Sequence, residues 1–395
     1  MRIAYIADAD SIHCHKWITI FAEHHDVILI CNKNQTHQKL YSSFSNIKIY
    51  PVLPNAYPLR KFWVRNRILS HLQKIIEQND IQIIHSMYAV PNAFWAYQLN
   101  FKNHIVTTRG SDILIDYNKT FQSPKNLNEK ITCYFLKRLV EKSLNKAIYI
   151  TSTSQKQQEV IKKFIHDERK LIIARTGVDV NKFIKEFELL SRQTDDIVIL
   201  SNRILRPMYN IHIIVDAFKL LKDKHPSKKI KLVIMKFYAS ADYLKEIIQQ
   251  INENGLQKDV MFEESKEGKD LIQFYKNADM VIMIPSSDGT PVSAIEAMLA
   301  KKPLVMGNFD YDEDLFNKDT VWKVSSLSPV DICEKITEIL NSTEEKKIKI
   351  ECAFNLAMNM ASLRKEAAKI EDLYKNMVIR GVTNQMVITK ANGNF

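Results

Sequence analysis

The chain has no apolar run approaching the roughly 18 residues that a membrane-spanning helix needs, so a helical membrane span is excluded. The first residues, MRIAYIADAD, read as a buried strand with acids behind it. They lack the apolar core and small-residue cleavage site of a secretory leader. Cysteine is sparse: Cys14, Cys31, Cys133, Cys333 and Cys352 are dispersed without metal-ligand or redox spacing. Such a set fits reduced, buried thiols and a cytoplasmic location rather than a disulfide framework. There is no recognition-helix pattern, zinc-ligand set or stacking-aromatic motif, which argues against nucleic acid as a partner. No clustered ligand set for a metal is present, and no internal repeat.

What is there is ordinary globular composition, with 46% hydrophobic and 26% charged residues. A length of 395 residues exceeds one typical core and suggests two domains. The net charge of +11 is uneven: residues 1–185 hold 27 Lys and Arg against 14 acids, and residues 186–395 hold 29 against 31. The basic half is expected to face an anionic partner, either a membrane surface or an anionic acceptor.

Short apolar runs bounded by turn signals alternate with helical periodicity along the chain, which predicts an α/β protein of two doubly wound domains. The polar stretch 186–196 is the expected linker between a first domain (1–185) and a second (197–360). Residues 361–379 read as a last long helix, and 380–395 as a loose tail. Residues 60–74 place Arg60, Lys61, Arg65 and Arg67 around Phe62 and Trp63, while Ile68, Leu72 and Ile75 share a helical face. This reads either as a basic amphipathic helix on an anionic bilayer or as a packed surface helix with solvated charges. Lys137–Lys146 is a second basic helical stretch.

The most informative stretch runs from Pro285 to Gly307, behind the apolar run Met280–Ile284. It reads as strand, loop, helix, strand. Asp288 falls in the loop and Glu296 eight positions on, on the helix from Val292 to Ala300. Gly289 lets backbone approach a ligand, and Pro291 suits a first helical turn whose free N–H groups favour an anion. The layout suits a ligand with a hydroxyl-rich part and a charged part; an ordinary strand–loop–helix unit is the plainer alternative.

This stretch resembles the donor site of family-4 retaining glycosyltransferases, in Asp288-Gly289-Thr290-Pro291, Glu296-Ala297-Met298 and Pro303-Leu304-Val305. Aspartate at 288, where the family more often has glutamate, is the form of its capsule and lipopolysaccharide branches. Further segments carry the resemblance: Ser11-Ile12-His13 with Trp17, Arg109-Gly110-Ser111-Asp112, Arg175-Thr176-Gly177-Val178-Asp179 with Phe183, and Ser201 to Asn210. Departures are equally specific. The first strand is not followed by a glycine-rich loop, and Arg109 stands where the family has histidine or tryptophan.

The resemblance implies the GT-B fold: two Rossmann-like domains facing a cleft, acceptor side first and nucleotide-sugar side second, with the final helix crossing back. It implies a hexosyl- or related transferase that retains anomeric configuration. Its donor would be a nucleotide diphosphate sugar, UDP foremost, and its acceptor a glycan or lipid-linked molecule in bacterial surface polysaccharide or glycoconjugate synthesis. No metal or other cofactor is implied. A nucleotide-sugar epimerase or hydrolase on the same fold, and a non-catalytic membrane-associated sugar-nucleotide-binding protein, are the alternatives. By the same resemblance Arg203 grips the donor diphosphate. The lysine that usually follows is missing, with Met208 or Tyr209 at its position, and Arg206 is the candidate replacement. Asp288 accepts from donor sugar hydroxyls, Glu296 holds the ribose, and Gly289, Thr290 and Pro291 line the donor. His13, His85, Arg109 and Asp112 fall on the acceptor side, His13 and Arg109 joining Asp288 and Arg203 as catalytic candidates. Plainer readings remain: His13 caps or packs near a helix start, and Arg109 pairs with Asp112 in a buried ion pair. Gly177 is expected to supply an unusual dihedral angle and Asp179 to cap the next helix. Residues 310–316 read as a short helix over the base and ribose. The protein is expected in the cytoplasm, at the inner face of the membrane.

Overall fold

A computed structural model describes residues 1–34, 40–118, 120–286, 288–308 and 311–392, with side chains given through 379. The chain forms two compact units, Met1–Arg175 with Arg364–Phe395, and Thr176–Leu363.

The first unit alternates β1 (Arg2–Ile6), α1 (Ile12–Ala22), β2 (Asp26–Asn32), β3 (Ile47–Leu53), α2 (Phe62–Gln78), β4 (Ile83–Met87), α3 (Asn92–Gln98), β5 (His104–Thr107), α4 (Leu127–Lys146), β6 (Tyr149–Ser152), α5 (Gln155–Lys162) and β7 (Leu171–Ile173). All seven strands are parallel, in the order β3-β2-β1-β4-β5-β6-β7. β1 and β2 read as nearly unbroken apolar runs, as strands covered by helices on both faces do, whereas β4 and β5 also carry buried polar side chains. From β3 the chain returns to lay β4 beside β1, so the loops after these two strands diverge there.

A buried polar chain ties the last helix, α13 (Leu363–Asn392), into this unit. Tyr374 Oη meets Tyr5 Oη at 2.7 Å and His85 Nδ1 at 2.5 Å. His85 Nε2 meets Thr107 Oγ1 at 2.6 Å, and that hydroxyl meets Thr151 Oγ1 at 2.6 Å. Glu366 adds a carboxylate that accepts the backbone N–H of Arg175 at 3.0 Å. The last helix does not stop at 379: of the tail 380–395, expected to be loose, residues 380–392 continue α13 to Asn392, and 393–395 lie outside the described residues.

The second unit holds α6 (Val180–Glu188), β8 (Ile197–Ser201), α7 (Ile211–Lys224), β9 (Ile230–Met235), α8 (Ala241–Glu253), β10 (Val260–Glu263), α9 (Gly268–Asn277), β11 (Met280–Met283), α10 (Val292–Leu299), β12 (Leu304–Met306), β13 (Trp322–Lys323), α11 (Pro329–Asn341) and α12 (Glu344–Met360). Its six strands are parallel, in the order β10-β9-β8-β11-β12-β13. The order reverses between β8 and β11.

The division between units falls at Arg175/Thr176, not at 186–196. Phe183 of α6 is buried in the second unit's core, so the polar stretch after it is an exposed connection within that unit. Gly177 also differs from expectation. Its φ lies outside the left-handed range, and it is glycine because backbone crowds it. A Cβ there would stand 2.4 Å from Leu363 N and 2.8 Å from the Ala361 carbonyl oxygen. Beside it Val178 donates to Ala361 O and accepts from Leu363 N, both at 2.9 Å. Asp179 does cap α6, accepting from Lys182 N at 3.2 Å. Gly177→Ala should destabilise the protein by about 3 kcal/mol in denaturant unfolding, the upper range for forcing atoms into a packed site.

Burial holds His85 well below the ordinary imidazole range and His104 at about 3. Both are neutral when folded, while the unfolded chain takes up protons near pH 6.5. Their contribution is therefore intact above pH 6.5 and lost as pH falls toward 3, at about 1.4 kcal/mol per unit for each histidine. Unfolding midpoints at pH 7.5, 6 and 5 should show this decline, and His104→Asn should roughly halve it, leaving the His85 share.

Candidate active site

Parallel pairing of β8 with β11, Leu200 opposite Val281, ends the two strands side by side. The residues that follow each strand therefore meet, although some 85 positions separate them. Arg203 follows β8. Its Nη1 donates to Ser293 Oγ at 2.8 Å, its Nη2 forms an ion pair with Asp288 Oδ2, and its guanidinium lies 4.8 Å from the Tyr209 ring centroid. The two residues expected to hold different parts of a donor thus hold each other. Both side chains are mostly shielded, at 13% and 19% exposure. The other Asp288 oxygen accepts from Gly289 N at 2.8 Å.

Glu296, half-buried on α10, is positioned by a residue far away in sequence. Tyr275 of α9 donates its hydroxyl to Glu296 Oε2 at 2.8 Å and accepts from Asn202 Nδ2 at 2.6 Å. Burial, and then the neighbouring Glu296 charge, raise the Tyr275 pKa well above the phenol value, so it remains a donor. Asp312 fastens the loop from the other side, its N–H reaching Gly289 O and its carboxylate the Thr290 hydroxyl, each at 3.4 Å. Pro291 stands at the N-cap of α10 with extended backbone (φ −67°, ψ 125°), one place before the expected first helical position. Among the described residues no side chain caps this helix start, which leaves the earliest N–H groups and the helix dipole suited to an anion.

Arg206 is exposed and donates to the Tyr238 carbonyl at 3.3 Å, so it is not brought to the Arg203–Asp288 pair. It starts a single 3-10 turn, Pro207–Tyr209, that ends on Asn210 in the left-handed conformation. Asn210 fixes that turn to the donor loop, donating to Ile284 O at 2.7 Å and Ser286 Oγ at 3.1 Å. The expected helix at 310–316 falls partly outside the described residues; 313–316 form a turn in which Leu315 and Phe316 donate to Asp312 O. Asn202, Asn210, Tyr275 and Asp312 were missed as site residues. Adjacency to Arg203 flags Asn202, whereas α9 reads as a plain amphipathic helix and gives no signal for Tyr275.

In the first unit, His13 is exposed on the opening turn of α1, where Ser11 provides the cap by accepting from Cys14 N at 3.3 Å. His85 is 1% exposed with both nitrogens engaged, so it supports the core instead of facing an acceptor. Asp112 accepts the backbone N–H groups of Ala89 (2.7 Å) and Arg109 (3.0 Å), so the expected Arg109–Asp112 contact runs through backbone. Burial outweighs those two bonds and lifts the Asp112 carboxyl to about 6. The Arg109 guanidinium lies 5.3 Å from the Trp17 ring, and burial lowers its pKa. Beside these residues, at the carboxyl edge of β1 and β4, is a cavity of about 320 Å³ lined in part by Asp8, Asn32, Asn55, Asn92, Asp112 and Asp116. Its amide and carboxylate lining suits hydroxyls better than an anion.

Two family models match, one in each unit. Residues 2–154 match the model described as glycosyl transferase 4-like, and residues 181–354 match glycosyl transferases group 1. The chain belongs to the family-4-like glycosyltransferases. The transferase finds no match among curated protein sequences. Solved structures share its whole architecture. HepE from Anabaena, solved in complex with UDP, is 15% identical with a TM-score of 0.77, covering 95% of this chain and 100% of that one. A glycosyltransferase from Rickettsia africae is 16% identical (TM-score 0.74), covering 95% and 98%. Sucrose-phosphate synthase from Thermosynechococcus elongatus is 14% identical (TM-score 0.72), covering 96% and 100%. The two parallel α/β units are those of the GT-B fold.

Tyr275→Phe should cost this glycosyltransferase about 1–2 kcal/mol by leaving the buried Asn202 amide without its acceptor. It should also weaken nucleotide binding by freeing Glu296, as denaturant unfolding and calorimetric titration would read.

Proposed function

We propose that the protein is a retaining glycosyltransferase that moves a sugar from a UDP-sugar to a glycan or lipid-linked acceptor in bacterial surface polysaccharide or glycoconjugate synthesis. The observation that carries this is the convergence of Arg203, Asp288 and Glu296 where β8 and β11 end. UDP and UDP-glucose, held by HepE in its solved complexes, support UDP as the nucleotide and a hexose as the sugar.

The donor diphosphate replaces Asp288 on Arg203, whose guanidinium stays oriented by Ser293 and Tyr209. A planar guanidinium suits two phosphate oxygens at once. Asp288, released, accepts from the donor sugar's hydroxyls, and Glu296 takes the ribose hydroxyls. The bond from the anomeric carbon to the diphosphate breaks with its electrons leaving on the phosphate. The acceptor oxygen bonds the same face of that carbon, and its proton passes to the departing diphosphate. Arg203 and the uncapped start of α10 stabilise the charge that develops there, with no metal required. The hydroxyl-suited cavity of the first unit is the place we assign to the acceptor. Peripheral contact with an anionic membrane, through residues 60–74, belongs to the same reading.

Arg203→Ala should weaken UDP binding about 100-fold, in the range of a lost charge-assisted pair. Asp288→Ala should lower kcat about 100-fold or more yet leave UDP binding equal or tighter, since Arg203 loses its competing partner. Thermal shifts with UDP, with and without EDTA, and turnover of UDP-glucose test both; unchanged UDP binding in Arg203→Ala would overturn the proposal.

A further inference from the structure

The first turns of α2 and the first half of α4 meet around a pocket of about 260 Å³. Its lining includes Tyr57, Leu59, Arg60, Arg65, Ile131 and Phe135. Large apolar side chains stand exposed on both sides of it: Phe62, Trp63 and Val64 on α2, and Leu127, Ile131, Tyr134 and Phe135 on α4. Those on α4 follow the spacing of one helical face, opposite the buried Val140, Ser143 and Leu144. Paired aromatics flank the pocket, Phe62 with Trp63 at 4.6 Å and Tyr134 with Phe135 at 5.7 Å. Lone exposed apolar residues are ordinary, but a contiguous set rimmed by charge marks an interaction surface.

The rim is basic. Arg60, Lys61, Arg67, Lys130 and Arg138 are exposed, and no acid occurs from Arg60 until Glu77. The acids of α4 are already engaged. Glu129 accepts from Lys125 N at 2.8 Å, and Glu141 pairs with Arg138 at 3.5 Å and accepts from Tyr117 Oη at 3.1 Å. The Arg65 Nε is buried and finds no acceptor among the described residues. A second copy of this face would set arginine and lysine against arginine and lysine. An anionic bilayer satisfies both the aromatic ridge and the charge.

We propose that α2 and α4 form one bilayer-docking face, and that the pocket between them seats the headgroup phosphate of an anionic phospholipid. Arg60 and Arg65 take the phosphate, and Ile131, Phe135 and Leu139 line the path of its first methylenes. This rests on the membrane reading of α2 and extends it to a second helix and a defined site.

The protein carries its own reporter. Trp63 is 74% exposed, whereas Trp17, Trp95 and Trp322 are at 1%, 1% and 2%. Emission should shift to the blue with vesicles of phosphatidylglycerol and phosphatidylcholine, and stay put with phosphatidylcholine alone or inorganic phosphate alone. Ile131→Asp with Phe135→Asp, both exposed sites, should weaken vesicle binding about tenfold or more with α2 untouched. Arg65→Gln should remove the preference for the anionic lipid. A wild-type shift that the α4 double variant retains in full would overturn the inference and leave α2 as the membrane contact. No wild-type shift with either vesicle would overturn both. A shift with phosphate alone, or a dimer dissolved by the α4 variant without any vesicle response, would overturn the lipid as occupant.

Discussion

A parallel sheet whose strand order reverses must end two neighbouring strands side by side, with the chain leaving them toward opposite faces. In the second unit those strands are β8 and β11, and the candidate donor residues depend on that adjacency. It puts Arg203 within reach of Asp288 and Ser293, and it places Asn202 under Tyr275, which in turn holds Glu296. Were the register of β8 on β11 shifted by one residue, every side chain of the shifted strand would change face. The site is therefore a property of sheet register first and of its individual residues second.

The first unit obeys the same topology with different contents. Its reversal lies between β1 and β4, and there the inward side chains close on themselves. Tyr5, His85, Thr107 and Thr151 join Tyr374 from the last helix in one hydrogen-bonded chain. The adjoining cavity is lined in part by amides and carboxylates, although the unit as a whole is strongly basic. The positive charge sits outside, in part on the first turns of α2 and the second half of α4. Net charge states what a domain attracts at a distance; the sign inside its cavity is a separate matter.

How far the sequence could be read follows from how far each interaction reaches along the chain. Strands buried on both faces announce themselves as apolar runs, and the donor loop carries Asp288 and Glu296 within one short segment. His85 looked like a ligand-facing residue at a strand end because its partner Tyr374 is 289 positions away. Gly177 looked like a turn glycine because the backbone that crowds it arrives from 361–363. The stretch 186–196 looked like a boundary because polarity reports exposure to water, not membership of a core. α4 begins ten residues before its basic run, and its exposed Leu127, Ile131, Tyr134 and Phe135 match no buried-face expectation for a soluble helix.

The Arg203–Asp288 pair shows why a site built for an anion need not leave a cation bare. A half-buried guanidinium without a counter-ion would carry the full cost of desolvation, and the loop holding it would have little reason to keep one shape. Asp288 neutralises it at short range while Ser293 and the Tyr209 ring fix its plane. A diphosphate bears more charge than a carboxylate and matches the same donors, so it can displace Asp288 without Arg203 having to move far. In the function we propose, the displaced carboxylate is left beside the incoming ligand, where hydroxyl donors can satisfy it. In that reading one ion pair thus prepares the cation for the phosphate and the anion for the sugar, and a ligand with only one of the two groups leaves half of it unsatisfied.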